Sequence, residues 1–420
     1  RKSVKVSKAK PRKVFKFAEA DWDGLNEELN SLNWDNLFRN RNIKESWQIF
    51  KSKLDIAMRN HIPMKIVKVR IQPPWFDAEI HGMSKIKHRF RKIHKQTGLA
   101  SDKKALDDYK RKFYERVADK KRQFIIADPC NDIENSQAQS QVNKKFWSFV
   151  KSGTKCGRIP EVVQYKGRHR SNRVDQCNLF NKFFCDQFSE VSNYDIAIDM
   201  PNHCNEYFSQ PDVRNILRKI VPSKSPGPDA ISGRILKNCA AALSYPLTKL
   251  FNMSYRQGQL PDDWKTANVV PIHKKGRKDD ISNYRPISLT SLVMKVFEKC
   301  LHRQIYWNCR DKITDAQHGF LPERSCTTQM LNYIDRLALG LNSKNKTDVI
   351  YFDFAKAFDS VNHDVMLDKL KKQYNINGFL LRFIREYLRG RKQQVVVDGK
   401  LSDISSVASG VPQGSILGPL

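Results

Sequence analysis

The segment Asp348-Val-Ile-Tyr-Phe-Asp-Phe-Ala-Lys-Ala-Phe-Asp359 decides how the C-terminal half of this chain is interpreted. Its residues 349–352 are β-branched or aromatic, which predicts a short buried strand. Asp353 stands where that strand would end, and a carboxylate held rigidly at a strand exit can bind a hard cation such as Mg²⁺. A strand end followed by a helix-capping aspartate would have the same sequence, so this segment alone leaves both interpretations open.

A second segment, Ser409-Gly-Val-Pro-Gln-Gly-Ser-Ile-Leu-Gly-Pro419, contains three Gly, two Pro and one Gln in eleven residues. Glycines without a Cβ let a backbone lie close to a ligand, and Gln413 can hydrogen-bond the edge of a base or sugar. A tight structural turn is the alternative interpretation. Just before it, Gln393-Gln-Val-Val-Val-Asp-Gly-Lys400 predicts a strand followed by an Asp-Gly hairpin turn.

The charge of the chain predicts a polyanionic partner. Its 420 residues include 75 Lys and Arg against 44 Asp and Glu, a formal net charge of +31, and nucleic acid is the commonest polyanion. Residues 81–125 are especially basic. There Lys110, Arg111 and Lys112 precede two aromatic residues, a pattern typical of contacts with phosphates and stacked bases. A solvated helix face explains the same run equally well.

Apolar spacing predicts helices along much of the chain. The repeats are Trp22 to Leu32, Trp47 to Leu54, residues 81–123, Met330 to Leu341 and Leu380 to Leu388. The prolines of Ile71-Gln-Pro-Pro-Trp75 interrupt the first helical region. Aromatic residues in 129–206 (Phe146, Trp147, Phe149, Phe180, Phe183, Phe184 and Phe188) predict packed helices without chemistry.

Cysteines and apolar runs indicate the cellular setting. The nine cysteines contain no C-x-x-C pair, which argues against a zinc ribbon and favours free thiols in a reducing compartment. No apolar run approaches the ~20 residues that span a bilayer. The first residues include neither an initiating Met nor the apolar stretch of a secretion signal. We therefore expect an interior piece of an intracellular protein, without membrane contact.

Several segments together resemble a known family. Phe352-Asp-Phe-Ala-Lys-Ala-Phe-Asp-Ser-Val361, followed by Ser409-Gly-Val-Pro-Gln-Gly414, resembles motifs A and B of reverse transcriptases from non-LTR retrotransposons, especially the jockey and CR1 type of LINE element. Ser223-Lys-Ser-Pro-Gly-Pro-Asp-Ala-Ile231 resembles an additional N-terminal motif of that family. The segments 260–264, 269–275 and 283–289 resemble its fingers, and 317–320 with Arg324-Ser325 resembles the next block. The resemblance covers residues 207–420.

The resemblance implies an α+β architecture. It is a right-hand polymerase fold, with fingers and an incomplete palm, preceded by a mostly helical basic N-terminal region. We expect a helical linker over 1–75, a basic helical extension over 76–206, fingers over 207–345 and a partial palm over 346–420. The strand at 349–352 would lie in an antiparallel palm sheet.

The resemblance also implies roles for individual residues. Asp353 would bind two catalytic Mg²⁺ ions, with the backbone carbonyl of Phe354 as a further ligand. Phe358 would exclude a ribose 2′-hydroxyl, and Asp359 would only cap a helix that begins near Ser360. The remaining residues would contact nucleotide or nucleic acid: Lys274 (or its neighbour Lys275) and Arg285 at the triphosphate, Gln413 and Gly414 at the nascent base pair, and Arg324 at the nucleic acid.

The chain departs from the family pattern in one respect. Residues 1–420 contain no Tyr/Phe-Ala-Asp-Asp sequence, so we expect them to bind nucleic acid but not to polymerise alone. The implied partners are the element's own RNA as template, nicked chromosomal DNA as primer and dNTPs, in a cytoplasmic ribonucleoprotein and in the nucleus. A non-catalytic nucleic-acid-binding remnant, or a repurposed protein, is the alternative. No pattern in the sequence indicates an oligomeric state.

Overall fold

The computed structural model describes residues 12–67, 75–126, 159–189, 196–201 and 207–420. Its helices are α1 (Trp22–Ser31), α2 (Trp34–Phe38), α3 (Ile43–His61), α4 (Ala78–Thr97), α5 (Ala100–Ile126), α6 (Arg173–Cys185), α7 (Gln210–Arg218), α8 (Gly233–Asn238), α9 (Ala240–Gln257), α10 (Asp262–Lys265), α11 (Leu292–Cys309), α12 (Cys326–Asn342), α13 (His363–Lys372) and α14 (Gly378–Leu388). Its strands are β1 (Arg12–Phe15), β2 (Met64–Val67), β3 (Val163–Tyr165), β4 (Arg168–Arg170), β5 (Thr266–His273), β6 (Tyr284–Leu289), β7 (Lys392–Val397), β8 (Lys400–Leu401) and β9 (Ser405–Ser406).

The chain divides into two compact units. Unit 1 comprises Arg1–Val14 and Lys65–Arg158, and unit 2 comprises Phe15–Met64 and Ile159–Leu420. In unit 1, α4 and α5 form a helical hairpin, as the sequence predicts for residues 81–123. Gly98 ends α4 in the left-handed conformation, with φ of +67°, which glycine adopts without steric cost. Phe113 is buried, and the Phe90 and Tyr109 rings lie 5.3 Å apart.

The N-terminal helices of unit 2 confirm the predicted apolar repeats. Leu25 and Leu29 of α1 are fully buried, and so are Trp47 and Phe50 of α3. The Trp47 ring packs edge-on against Trp264 of α10 at 5.1 Å. Residues 22–61 therefore share one apolar core with the helices between residues 207 and 388. The four sequence-based domain boundaries remain predictions.

Unit 2 also contains one mixed sheet, in addition to its helical core. The strand order is β6-β5-β7-β8, and β9 also pairs with β7. β5 is antiparallel to β6, with Ile272 opposite Arg285, and parallel to β7. The predicted strand and hairpin at residues 393–400 are confirmed, because Val397 pairs with Lys400 across a two-residue turn. Asp398 and Gly399 both have positive φ, as that turn requires.

The predicted strand at residues 349–352 is wrong. The segment has no regular structure and pairs with no strand of the described residues. Ile350, Tyr351 and Phe352 are 74%, 81% and 91% exposed. β-Propensity reflects how well side chains pack against neighbours. The described elements leave these three side chains exposed, although the Tyr351 hydroxyl lies 2.8 Å from that of Tyr333 on α12. The preceding helix α12 forms as predicted, yet none of its residues is buried, whereas α14 buries its predicted apolar face.

The remaining predictions concern the aromatic residues between 129 and 206 and the cysteines. Phe146, Trp147 and Phe149 lie outside the described residues. Phe180 and Phe184 are buried on α6, as expected for a packed helix, while the β3–β4 hairpin just before α6 was not predicted. The six described cysteines are free thiols: Cys177, Cys185, Cys239, Cys300, Cys309 and Cys326.

Among the described residues, no helix combines the length and apolar character required to cross a membrane.

Candidate functional site

The glycine-rich loop (residues 409–419) folds against the turn at residues 355–359. The backbone N–H of Val411 donates to the Phe358 carbonyl at 2.7 Å, and the Ser409 hydroxyl donates to the Asp359 carbonyl at 2.8 Å. Gly410 has φ of +81°, and a Cβ there would lie 2.5 Å from the Phe358 carbonyl oxygen. Only glycine fits this close approach. The sequence predicted that the loop's glycines let the backbone lie close to a ligand, but at Gly410 the close neighbour is another segment of the chain.

Gln413 joins the loop to two other segments. Its side-chain amide donates to both carboxylate oxygens of Asp359, at 3.2 and 3.1 Å. The backbone carbonyl of Gln413 accepts a hydrogen bond from the backbone N–H of Ser288 on β6 at 2.9 Å. At Gly414, φ is +109° and an added Cβ would lie 3.0 Å from the Ser288 carbonyl oxygen. The loop is therefore fastened both to the strand that carries Arg285 and to the turn that carries Phe358.

Asp359 does not cap a helix, which corrects the role expected for it. Helix α13 begins at His363, and its cap is Asn362, whose side chain accepts from the N–H groups of Asp364 and Val365. Asp359 precedes that cap and lies partly buried beside Gln413. Desolvation raises the pKa of its carboxyl group, while the Gln413 hydrogen bond and the Lys356 charge oppose that rise.

A small cleft with a volume of about 40 Å³ opens beside this carboxylate. Its walls come from the end of α6 and its following residues, from strands β5, β6 and β7, and from the glycine-rich loop. The lining side chains include Phe184, Pro286, Asp359, Arg391 and Gln413. Arg391 is only 3% exposed, and its Nη2 has no hydrogen-bond partner among the described residues.

The two cations predicted at a triphosphate lie on the β5–β6 hairpin. Lys274 directly follows β5, where its backbone N–H donates to the Asn283 carbonyl at 2.8 Å. Arg285 lies on β6 opposite Ile272. Both side chains are exposed, as is that of Lys275, so the alternative between Lys274 and Lys275 stays open.

Asp353 and Phe354 lie in the exposed segment before the turn. Phe354 is 87% exposed, and Asp353 is not among the residues that line the cleft. The described residues contain no group of three or more His, Cys, Asp or Glu side chains that could hold a metal ion. One exposed carboxylate is too few ligands for a hard divalent cation, which usually takes several oxygens. Asp353 and the Phe354 carbonyl could therefore supply only part of a metal centre, and the described residues do not complete it.

Two further predicted residues have local contacts. The rings of Phe358 and Phe320 meet edge-on, with centroids 6.3 Å apart. The Arg324 guanidinium donates to the carbonyls of Asp315 and Gln317 at 2.6 and 2.7 Å, and pairs with the Asp315 carboxylate. Arg324 therefore closes its own loop with three hydrogen bonds. A guanidinium has five N–H donors, and the contact of Arg324 with nucleic acid stays a prediction.

The basic run on α5 is partly neutralised within the helix. Lys110 pairs with Asp107 at 2.7 Å, and Arg111 pairs with Asp108 at 3.1 Å. The side chain of Lys112 is exposed. Two of the three predicted nucleic-acid contacts thus already have an acidic partner one helical turn away.

Two acids, the partly buried Asp229 and the buried Glu298, have roles that sequence reasoning missed. Asp229 accepts a hydrogen bond from Ser291, the N-cap of α11, at 2.5 Å. Glu298 is fully buried and accepts the N–H groups of Ile416 and Leu417. The available signals were an Asp in a Pro-Gly-Pro turn and a Glu between apolar neighbours in Val296-Phe-Glu298.

The comparisons with known proteins identify the class. Residues 272–420 match the family model described as reverse transcriptase (RNA-dependent DNA polymerase). This part of the chain is therefore a reverse transcriptase domain.

Relatives of known name extend the similarity beyond that domain. The chain is 25% identical over 397 residues to the RNA-directed DNA polymerase from mobile element jockey of Drosophila melanogaster, covering 90% of this chain and 42% of the relative. It is 27% identical over 312 residues to the probable RNA-directed DNA polymerase from transposon X-element of the same species, covering 69% of this chain and 33% of the relative. It is 30% identical over 213 residues to the jockey polymerase of Drosophila funebris, covering 50% and 23%.

The predicted resemblance is thereby confirmed: the reverse transcriptase domain and these relatives support a LINE-type reverse transcriptase of a non-LTR retrotransposon. It spans less than half the length of these relatives.

Proposed function

We propose that this chain forms the nucleotide- and template-binding part of an RNA-directed DNA polymerase, which transfers a nucleotide from a dNTP to a DNA 3′-hydroxyl on an RNA template. One observation carries the proposal beyond family membership. The glycine-rich loop is hydrogen-bonded to the strand bearing Arg285 and to the turn bearing Phe358. Three segments predicted to surround an incoming nucleotide, all distant from one another along the chain, are thus fastened together.

Exposed cations supply the attraction for a triphosphate. Lys274 and Arg285 lie at the end of the β5–β6 hairpin where the loop joins the two strands, and both are exposed. A guanidinium offers a planar pair of donors to phosphate oxygens, and an ammonium offers a compact charge. Phe358, at the base of the loop, would exclude a ribose 2′-hydroxyl, while Gln413 and Gly414 would line the nascent base pair.

The finer assignments belong to the same proposal. Reverse transcriptases depend on divalent metals, and we propose Mg²⁺, bound in part by Asp353 and the Phe354 carbonyl. The mixed helical and sheet architecture supports a right-hand fold with fingers over 207–345 and part of a palm over 346–420. We also propose the element's RNA as template and nicked chromosomal DNA as primer, in the cytoplasm and the nucleus.

Primer extension on poly(rA) with an oligo(dT) primer, by the natural protein that carries this sequence, tests the proposal. Asp353→Asn should abolish Mg²⁺-dependent dTTP incorporation, because a single catalytic carboxylate typically contributes at least ~10²-fold to rate. Asp348→Asn is the matched control, since Asp348 is an exposed aspartate five residues away, and it should retain incorporation. Equal activity of wild type and Asp353→Asn would refute the assigned role.

The alternative is a nucleic-acid-binding protein without catalysis. It predicts salt-sensitive RNA binding by the natural protein together with no dTTP incorporation at any Mg²⁺ or Mn²⁺ concentration. Phe358→Ala provides a second discrimination. Under the polymerase proposal this variant should incorporate ribonucleotides more readily than wild type, because the ring that blocks the 2′-hydroxyl is removed.

A further inference from the structure

Helix α4 carries a one-sided positive surface that the polymerase site does not use. Between Ile80 and Thr97 the helix contains six Lys and Arg and no Asp or Glu. Lys85, Arg89, Lys92 and Lys95, here called the α4 basic face, follow one another at four-, three- and three-residue steps. Residues at these spacings lie on the same side of a helix, and all four are exposed.

The opposite side of α4 is committed to packing on α5. Ile80 is fully buried, and the Phe90 ring lies 5.3 Å from that of Tyr109 on α5. Even Lys87, which points to that side, lies 3.8 Å above the Phe113 ring. The orientation of α4 is therefore fixed by its apolar contacts, and the α4 basic face points away from α5.

The acids of the hairpin do not neutralise this face. Asp107 and Asp108 pair with Lys110 and Arg111 on α5 itself. Glu79, at the start of α4, pairs with Arg116 and Lys120. Within the described part of the chain, no ion pair involves a member of the α4 basic face. Helix α4 has six Lys and Arg against one Glu, whereas the longer helix α5 has nine Lys and Arg against five Asp and Glu, so the positive charge is less neutralised on α4.

We propose that the α4 basic face binds the phosphodiester backbone of a nucleic acid strand, independently of base sequence. The four cations span about 15 Å at 1.5 Å per residue, which matches two to three successive phosphates of an extended strand. Each cation that contacts a phosphate releases condensed counterions. An anionic membrane is the competing polyanion, but helices that lie on membranes insert a broad apolar side. On α4, Ile86 is the one large apolar side chain that is exposed.

Two triple variants of the 420-residue chain provide a matched test. Lys85→Gln/Arg89→Gln/Lys92→Gln removes one Arg and two Lys from α4, and Lys110→Gln/Arg111→Gln/Lys112→Gln removes the same set from α5. Glutamine keeps helix propensity near that of Lys and Arg, and circular dichroism verifies that both variants stay folded. Binding to a labelled 20-nucleotide single-stranded RNA, and to the DNA of the same sequence, is measured by anisotropy between 50 and 300 mM salt.

The α4 variant should lower the steepness of log K against log salt by about 2, because single strands contribute about 0.7 per phosphate. The α5 variant should lower it by less than half as much. RNA and DNA should respond alike, since the shared backbone is the ligand. Equal losses from the two variants would show that net charge alone matters and would overturn the proposal, as would an unchanged α4 variant.

Two further arms distinguish nucleic acid from a membrane as the ligand, and the α4 basic face from the polymerase site. Vesicles of phosphatidylserine and phosphatidylcholine should not retain the chain in competition with RNA, and preferential vesicle binding would overturn the assignment to nucleic acid. Primer extension by the natural protein that carries this sequence is measured in parallel. This proposal does not depend on catalysis. If the α4 basic face binds RNA but the natural protein extends no primer, only the proposed polymerase function is refuted. If primer extension occurs but the α4 variant binds RNA like wild type, only the present proposal is refuted.

Discussion

Asp229 illustrates how a single residue can act through burial. Its carboxylate accepts hydrogen bonds from the Ser291 hydroxyl and from the Ile231 backbone. Nearby, a Cβ on Gly227 would lie 2.5 Å from the Ser291 nitrogen, so only glycine lets the two chain segments approach. The segment 223–231, which the sequence marks only by family resemblance, thus has a physical purpose in supporting the start of α11.

We predict a pH-dependent stability from this carboxyl group. Burial raises the pKa of Asp229 from 3.8 to about 6, so the folded protein binds the proton more tightly than the unfolded chain. The contribution of Asp229 to the free energy of unfolding is complete below about pH 4. It is lost as the pH rises through about 6, and the loss amounts to up to about 3 kcal/mol. Asp229→Asn should be uncharged throughout. The free energy of unfolding of Asp229→Asn, measured in urea, should therefore increase relative to that of wild type as the pH rises from 4 to 7.

The control for that experiment is Asp335→Asn, which alters an exposed aspartate of α12. Its difference from wild type should stay constant over the same pH range. If the free energies of unfolding of Asp229→Asn and wild type differ by a constant amount over this pH range, Asp229 does not have the raised pKa.

At the scale of elements, α12 and α14 have similar amphipathic sequences but different surroundings. Leu331 of α12 is 65% exposed, whereas Leu381 of α14 is fully buried. Amphipathic spacing predicted both helices correctly, because it depends on residues a few positions apart. It could not predict which apolar face is covered, since that depends on elements distant in sequence.

Alanine substitutions in these two helices should therefore differ in cost. Leu381→Ala should lower the free energy of unfolding by about 2–5 kcal/mol, because it leaves a cavity in a packed core. Leu331→Ala should change it by no more than about 0.5 kcal/mol, as for most exposed positions. Urea denaturation of the two variants measures both values. A large loss for Leu331→Ala would mean that α12 is covered in solution.

At the scale of the whole molecule, Glu298 connects segments that are far apart in the chain. Its Oε2 accepts the N–H groups of Ile416 and Leu417 at 2.5 and 3.2 Å, and its Oε1 accepts the Tyr387 hydroxyl at 3.3 Å. Burial raises the pKa of this carboxyl group, opposed by the two backbone hydrogen bonds and by the Arg391 charge. Helix α11, helix α14 and the glycine-rich loop are thus joined by one side chain.

Glu298→Ala should release the end of the glycine-rich loop. It removes the acceptor of two partly buried N–H groups and of the buried Tyr387 hydroxyl, at up to about 1–3 kcal/mol for each group. Hydrogen exchange at Ile416 and Leu417 should accelerate by at least ~10-fold. Glu298→Gln retains an acceptor of the same size and should exchange closer to wild type. Unaltered exchange in Glu298→Ala would contradict the role assigned to this contact.

The amino-acid sequence by itself determined the resemblance to reverse transcriptases, the order of the motifs, helices α1, α3, α12 and α14 of unit 2, and the hairpin at residues 393–400. These features follow from local periodicity, turn chemistry and motif spacing. Only the tertiary structure decided that Gln413 meets Asp359, which lies 54 residues away, and that residues 349–352 form no strand. Both outcomes depend on contacts between distant segments, and local propensity holds no information about which segment will supply the partner.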